Sequence, residues 1–187
     1  MSDSVLKELV GGWKRITSKL VYENPWIQVF HEDVTTPNNT PGIYGRVHFR
    51  GQAVGIVPLD EEGNTWLVRQ SRYTLDTFTW EIPEGGASRT EDPLDCAKRE
   101  LEEEVGLKAE GWRHIMTMHT SNSITDECAQ IYVATALSEG SQCLDNTEDI
   151  EVKKLPLREA IDMVVKGEIT DSMSVAALLF LAREKRL

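Results

Sequence analysis

Residues 85–107 read GGASRTEDPLDCAKRELEEEVGL, and four of the last eight are glutamate. Glutamates three and four apart, Glu100 with Glu103 and Glu100 with Glu104, repel one another on a helix, by roughly 0.2–0.5 kcal/mol per pair. The stretch is nonetheless written as a helix: Asp92 is a favoured N-cap, Pro93 suits the first turn and Gly106 the C-terminal stop. At about 100° per residue, Leu94, Ala97, Leu101 and Val105 form one stripe that faces a core. Glu100 and Glu104 lie along one edge of that stripe and Glu103 sits further round, while Lys98 and Arg99 point elsewhere. Two carboxylates one turn apart at the seam between core and solvent, with a third beside them, are the oxygen donors that Mg2+ takes. Substrate phosphates usually complete its shell. The alternative is an ordinary acidic face screened by water.

The spacing decides between the two. Gly85, Glu91, Arg99, Glu100, Glu103, Glu104 and Gly106, with Leu101 and Leu107 between and after them, match without a mismatch the signature box of the Nudix hydrolase superfamily. Seven positions each demand one residue type, which at about 6% usage gives on the order of 10⁻⁹ per start point by chance. The chain is therefore identified as resembling that superfamily, and the resemblance runs over roughly residues 16–182. Tyr22–Val29, Leu67–Tyr73, Trp80–Gly85 and Ser172–Leu178 resemble the ADP-ribose pyrophosphatase branch, which also holds nucleoside diphosphate sugar hydrolases such as those acting on GDP-mannose.

The resemblance implies an α/β/α sandwich and Mg2+-dependent hydrolysis (Mn2+ being the other ion expected) of a nucleoside diphosphate sugar to a nucleoside monophosphate and a sugar phosphate. It makes Glu100 and Glu104 metal ligands, Glu103 a ligand or its close neighbour, and the carbonyl of Glu84 beside Gly85 a further donor. Arg99 and Glu91 then orient the glutamates. Arg72 and Arg69 resemble arginines that contact the diphosphate, whose oxygens match the guanidinium fork. Glu81 resembles a substrate-side or metal-side carboxylate. Members of the branch form homodimers by exchanging an N-terminal sheet that helps to hold the base of the nucleotide bound by the other chain. Trp26, Ile27 and Arg50 are the residues this suggests here, and packing into a core is the other reading of Trp26.

The sequence departs from the branch at two places. ADP-ribose enzymes carry a proline about fifteen residues after the box, where this chain has Asn122, within Ser121–Glu127; that points to a broader sugar-nucleotide hydrolase. The loop Leu144–Ile150 aligns with one that supplies a late metal ligand or the general base; Glu148 fits one acidic position, and Asn146 stands at another. The order of expectation for the base is Glu148, Glu127, Glu103 and Asp145, then His119. Other Nudix substrates, such as dinucleoside polyphosphates, NADH or a capped RNA end, and a sensor that binds without cleaving, are the alternatives.

The rest of the chain sets the frame. Its 187 residues suit one domain with a small appendage, and 40% hydrophobic with 27% charged residues is ordinary for a globular protein. No apolar run reaches the roughly 18 residues of a membrane helix, and MSDSVLKELVGG lacks the pattern of a secretory signal. The net charge of −11 carries no basic cluster, which argues against long nucleic acids. Three cysteines, none in a CxxC pair, fit reduced thiols in a cytoplasm, with Cys128 read as core.

Residues 1–50 read as an N-terminal sheet region with strands at Thr17–Tyr22, Ile27–Val34 and Ile43–Phe49, too thin to stand alone. The segment Ser4–Val10 reads as a helical turn or as unstructured. Residues 51–187 read as the catalytic domain. Its strands are expected at Ala53–Val57, Thr65–Val68, Phe78–Ile82, Arg113–Met118, Ala129–Ala136 and Ile150–Leu155, with later helices at Pro156–Lys166 and Ser172–Lys185. Strands and helices mixed without a regular βαβ alternation predict an α/β sandwich around a mixed sheet.

Overall fold

The fold comes from a computed structural model that describes residues 8–144 and 149–187. Among these residues eleven strands and three α-helices are formed, in two units.

The first unit comprises the described residues up to Gly51 together with Ser121–Glu127. Strands β1 (Glu8–Val10), β2 (Trp13–Glu23), β3 (Ile27–Thr35) and β4 (Pro41–Phe49) pair antiparallel in chain order. The expected three strands are present, and β1 is the addition. Gly11 and Gly12 separate Val10 from its partner Trp13 with φ of +54° and +87°. Two successive left-handed residues are what a tight hairpin requires, so the end of the N-terminal stretch folds back as a strand instead of a helical turn. Ser121–Glu127 returns to β4. Val47 donates its N–H to the Ile124 carbonyl at 2.9 Å, and the Asp126 carboxylate accepts the Phe49 N–H at 2.9 Å. The buried Glu32 is held by Arg15 and Arg46, each at 3.3 Å, and by the Ser18 hydroxyl at 2.9 Å.

The second unit comprises Gln52–Thr120 and Cys128–Leu187. Its strands are β5 (Gly51–Pro58), β6 (Asn64–Arg72), β7 (Thr77–Glu81), β8 (Glu84–Ser88), β9 (Leu107–His119), β10 (Cys128–Glu139) and β11 (Glu151–Pro156). Its helices are α1 (Pro93–Val105), α2 (Leu157–Val165) and α3 (Ser172–Lys185). One sheet has the order β8-β5-β10-β9 and a second the order β11-β6-β7. β10 runs parallel to β5 and antiparallel to β9, so the larger sheet is mixed. Alternate residues of β5 serve two cores. Val54 and Ile56, with Tyr132 and Ala134, pack against Ala97 and Leu101 of α1. Val57, with Ile131 and Val133, packs against Leu67 and Leu155 of the second sheet and against Ala160, Leu178 and Leu181 of α2 and α3. Burial on both faces explains why β5 reads as a nearly unbroken apolar run. The layers make the α/β/α sandwich that the resemblance implies.

β8 adds an edge strand to β5 beyond the strands read from the sequence. Two sequence expectations change. β9 starts at Leu107, immediately after the helix stop, instead of near Arg113. Cys128 is only half-buried because it is the first residue of β10, and the cysteine that fills the core is Cys96 on α1.

Helix α1 ends as its sequence dictates. Gly106 takes φ +72° and its N–H donates to the carbonyls of Leu101 and Glu102. A Cβ there would meet the backbone nitrogen of Gln142 at 3.2 Å. Gly106→Ala is expected to lower unfolding stability by about 1–2 kcal/mol, the penalty of a left-handed residue with a side chain. Urea denaturation would check this, and an unchanged midpoint would contradict the cap.

Candidate active site

Helix α1 presents its acidic edge to the start of β8. Glu100 and Glu104 are 8% and 2% exposed, so the core stripe carries both carboxylates out of bulk water with it. Leu101 and Ala97 are fully buried beside them. The Glu84 N–H donates to Glu104 Oε2 at 3.0 Å, which ties β8 to the helix. Gly85 follows, and a Cβ built there would lie 2.0 Å from Glu100 Cδ and 2.2 Å from its Oε1. The position has room for the Glu100 carboxylate or for a side chain on residue 85, not for both.

The helix turns Arg99 towards its own acids. Its Nη1 lies 2.8 Å from Glu100 and 2.7 Å from Glu103, and its Nε lies 3.5 Å from Glu91. The wheel, which points Arg99 away from the glutamates, misses the reach of a long side chain that bends back over a turn. Cys96, one turn before Glu100, is buried 3.9 Å from Glu100 Oε1. Burial, reinforced by the Glu100 charge, pushes its thiol up to about 12, so it stays protonated.

A second cluster lies on β6, β7 and the β7–β8 turn. Arg72 Nε donates to both oxygens of the buried Glu81 at 2.9 and 3.0 Å, and its Nη2 also reaches Glu84 at 3.4 Å. The Thr79 hydroxyl donates to Glu81. The Glu81 contact raises the Arg72 pKa despite partial burial, so this guanidinium is fixed as a cation. Glu84 behaves oppositely. Burial first, then its hydrogen bond to Asp171 and the Asp171 charge, push Glu84 well above the carboxylate range. Burial works against charge on Asp171 too, yet the bonds from Glu84 and from Ser174 hold it below its ordinary value. Glu84 therefore carries the proton of this pair and Asp171 the charge.

The residues singled out in the sequence thus fall into several groups. Glu84, Gly85, Glu100 and Glu104 are brought together, with Arg99 and Glu103 on the outer side of the same helix and Glu91, just before its N-cap, reaching Arg99. Arg72 and Glu81, expected as separate substrate contacts, clasp one another. Arg69 stands apart from that clasp, its guanidinium over the Phe78 ring at 5.0 Å and 3.4 Å from Glu151. His119 is exposed at the end of β9. Trp26, Ile27, Arg50 and Glu127 belong to the first unit. There Trp26 is 72% exposed, against the reading of it as core. Its N–H and that of Ile27 donate to Asn24 Oδ1 at 2.9 and 2.8 Å, and Arg50 lies 2.5 Å from Glu23. Glu148 and Asp145 lie outside the described residues. Asp171, Ser174, Thr79 and Cys96 were not singled out as site residues. For Ser174 the signal was available, since Ser172–Leu178 already resembles the branch.

Among the described residues no three acidic, thiol or imidazole groups already converge as an ion cage. The donor chemistry still fits a hard divalent cation, because Mg2+ takes one or two carboxylates and leaves the other positions to waters and phosphates. Two buried carboxylates one turn apart beside a residue without a side chain are such a set.

Comparison with known proteins agrees with this geometry. The NUDIX domain family model matches residues 49–173, and the model for the nucleoside diphosphate sugar hydrolase N-terminal domain matches residues 13–47. The chain is 31% identical over 176 residues to an ADP-ribose pyrophosphatase of Bacillus subtilis (strain 168), covering 93% of this chain and 95% of the relative. It is equally similar, over the same shares, to the methanol dehydrogenase activator of Bacillus methanolicus. A crystal structure of an ADP compounds hydrolase superposes with a TM-score of 0.82 at 24% identity, covering 98% of this chain and 96% of that one, and so has the same fold.

The geometry at Gly85 makes its own prediction. Gly85→Ala is expected to leave the thermal midpoint within a few degrees of wild type, because the colliding group is the end of a flexible side chain. It is also expected to reduce turnover at least tenfold by displacing Glu100. Differential scanning fluorimetry beside a phosphate-release assay would separate the two effects, and full activity would contradict the close approach.

Proposed function

The chain belongs to the Nudix family and is a pyrophosphohydrolase, and from that premise we propose that it hydrolyses the diphosphate bond of ADP-ribose and related nucleoside diphosphate sugars, GDP-mannose among them. The products are a nucleoside monophosphate and a sugar phosphate. Nudix hydrolases generally require a divalent metal, and the ion proposed here is Mg2+, with Mn2+ able to replace it. The observation that carries the reading is the burial of Glu100 and Glu104 on one helix edge against Gly85. Arg99 meets Glu100 and the Glu84 N–H meets Glu104, and a divalent cation would add the positive charge that two buried acids one turn apart call for.

Each residue then has a task. Glu100 and Glu104 hold the cation, with Glu84 offering its backbone carbonyl and Glu103 standing at the exposed side. A bound Mg2+ neutralises phosphate oxygens, stabilises the leaving group and acidifies a bound water. Arg99, braced by Glu91, keeps Glu100 and Glu103 from swinging into solvent. Arg72 balances Glu81 at the wall of the site, and Arg69 offers a partly exposed guanidinium to the diphosphate. A carboxylate takes the water's proton, with Glu148 first for that role, then Glu127 and Glu103.

The match of residues 13–47 to a nucleoside diphosphate sugar hydrolase N-terminal domain supports a sugar nucleotide as the substrate class. We assign residues 1–50 to dimerisation and base contacts and residues 51–187 to catalysis. Exposed Leu20, Val21, Tyr22, Trp26 and Ile43 on the first unit support a homodimer in which a second copy covers them, with Trp26, Ile27 and Arg50 contacting the base.

The test is phosphate release from ADP-ribose, GDP-mannose, ADP-glucose, UDP-glucose, NADH and diadenosine polyphosphates, with Mg2+ and a coupled phosphatase. The expected result is Mg2+-dependent cleavage of the sugar nucleotides that falls at least a hundredfold in Glu104→Gln. Tight binding of one compound with no turnover of any would overturn the substrate assignment in favour of a sensor.

A further inference from the structure

The β7–β8 turn, Ile82–Pro83–Glu84, delivers Gly85 to the acidic edge of α1, and its own backbone lies in the core. A buried N–H without an acceptor costs about 1–3 kcal/mol, and Pro83 has no N–H, so the turn has two such donors to place. Neither goes to a neighbouring strand. The Glu84 N–H donates to Glu104 Oε2 at 3.0 Å. The Ile82 N–H donates to Ser174 Oγ at 2.9 Å. The Pro83 carbonyl accepts the Ile56 N–H at 2.9 Å. The turn is therefore suspended between side chains of two helices, α1 on one side and α3 on the other.

Ser174 is fully buried and can act in both directions at once. Its hydroxyl accepts from Ile82 and donates to Glu84 Oε1 at 3.3 Å. Asp171 caps α3 by accepting the Ser174 N–H at 2.8 Å, and its side chain is hydrogen-bonded to that of Glu84. The first turn of α3 thus grips Glu84 by its side chain while α1 grips it by its backbone. The two grips are 90 residues apart in sequence for Ser174 with Glu84, and 20 for Glu84 with Glu104. Both meet on the residue whose carbonyl stands beside Gly85.

We infer that Ser174 and Asp171 are positioning residues for the divalent-cation site: through Ile82 and Glu84 they hold the Glu84 carbonyl and Gly85 in register with Glu100 and Glu104. The inference rests on the proposed function, since it presupposes a cation held by Glu100 and Glu104. Groups that orient ligands in this way typically change metal affinity by about 10–100-fold when removed.

The test reads metal binding without substrate. Full-length protein is titrated with Mn2+ and the free ion is followed by electron paramagnetic resonance, in wild type, Ser174→Ala, Ser174→Thr, Asp171→Ser and Glu104→Gln. Thermal midpoints are recorded in parallel. Ser174→Ala is expected to weaken Mn2+ binding about tenfold, and Ser174→Thr to recover most of it because the hydroxyl is kept. Asp171→Ser keeps a favoured N-cap, so its midpoint should stay near that of wild type while its Mn2+ affinity falls. That variant decides the question if Ser174→Ala folds poorly. Wild-type affinity in Asp171→Ser and Ser174→Ala, with binding lost in Glu104→Gln, would overturn this inference and leave the cation site intact. No Mn2+ binding by wild type would overturn the cation site and the inference together.

Discussion

Two carboxylates one helical turn apart are buried against an edge strand at Gly85, the residue there that has no side chain. That is the constraint around which the second unit is arranged. Burial is imposed by the stripe of α1, because Ala97 and Leu101 cannot reach Val54 and Ile56 without taking Glu100 and Glu104 with them. The glycine at residue 85 is imposed by Glu100, whose carboxylate occupies the space a Cβ would need. The helix stop at Gly106 then lets the chain turn directly into β9. A sequence box spread over 23 residues is thus the trace of one contact between a helix and an edge strand.

The charges near this contact follow from the same constraint. The chain carries a net charge of −11, and its site gathers further acids, so each cation has a local assignment. Arg99 serves Glu91, Glu100 and Glu103, and Arg72 serves Glu81. Glu84 escapes the charge altogether by keeping its proton on the bond to Asp171. The site therefore tolerates its acidity in three ways: pairing with arginine, protonation, and, in the proposed function, a bound divalent cation.

Much of this is legible in the sequence because it depends on local periods and caps. The span of α1, its buried stripe, the acidic edge and the stop at Gly106 follow from a 3.6-residue period and three capping residues. β5 follows from an unbroken apolar run. What is missed depends on chain segments that meet only in the fold. Arg72 and Glu81 each read as a substrate contact, yet across β6 and β7 they meet one another first. Ser174 reads as one residue of an apolar helix, and its bond to Ile82 spans 92 residues. β1 fails for a different reason: its signal is the pair Gly11–Gly12, which sets the hairpin, while its three residues alone are too few to show a period.

The central claim is that Glu100 and Glu104 are buried together to hold a divalent cation. The most direct measurement is the thermal midpoint of metal-free protein against added Mg2+, for wild type and for Glu100→Gln/Glu104→Gln. A ligand that binds only the native state raises stability by about 2.7 kcal/mol at a hundredfold excess over Kd. The account predicts a rising midpoint for wild type. It predicts for the double variant a higher midpoint without metal, since the repulsion is gone, and no response to Mg2+. An equal response to Mg2+ in both proteins, or a double variant that is less stable than metal-free wild type, would contradict it.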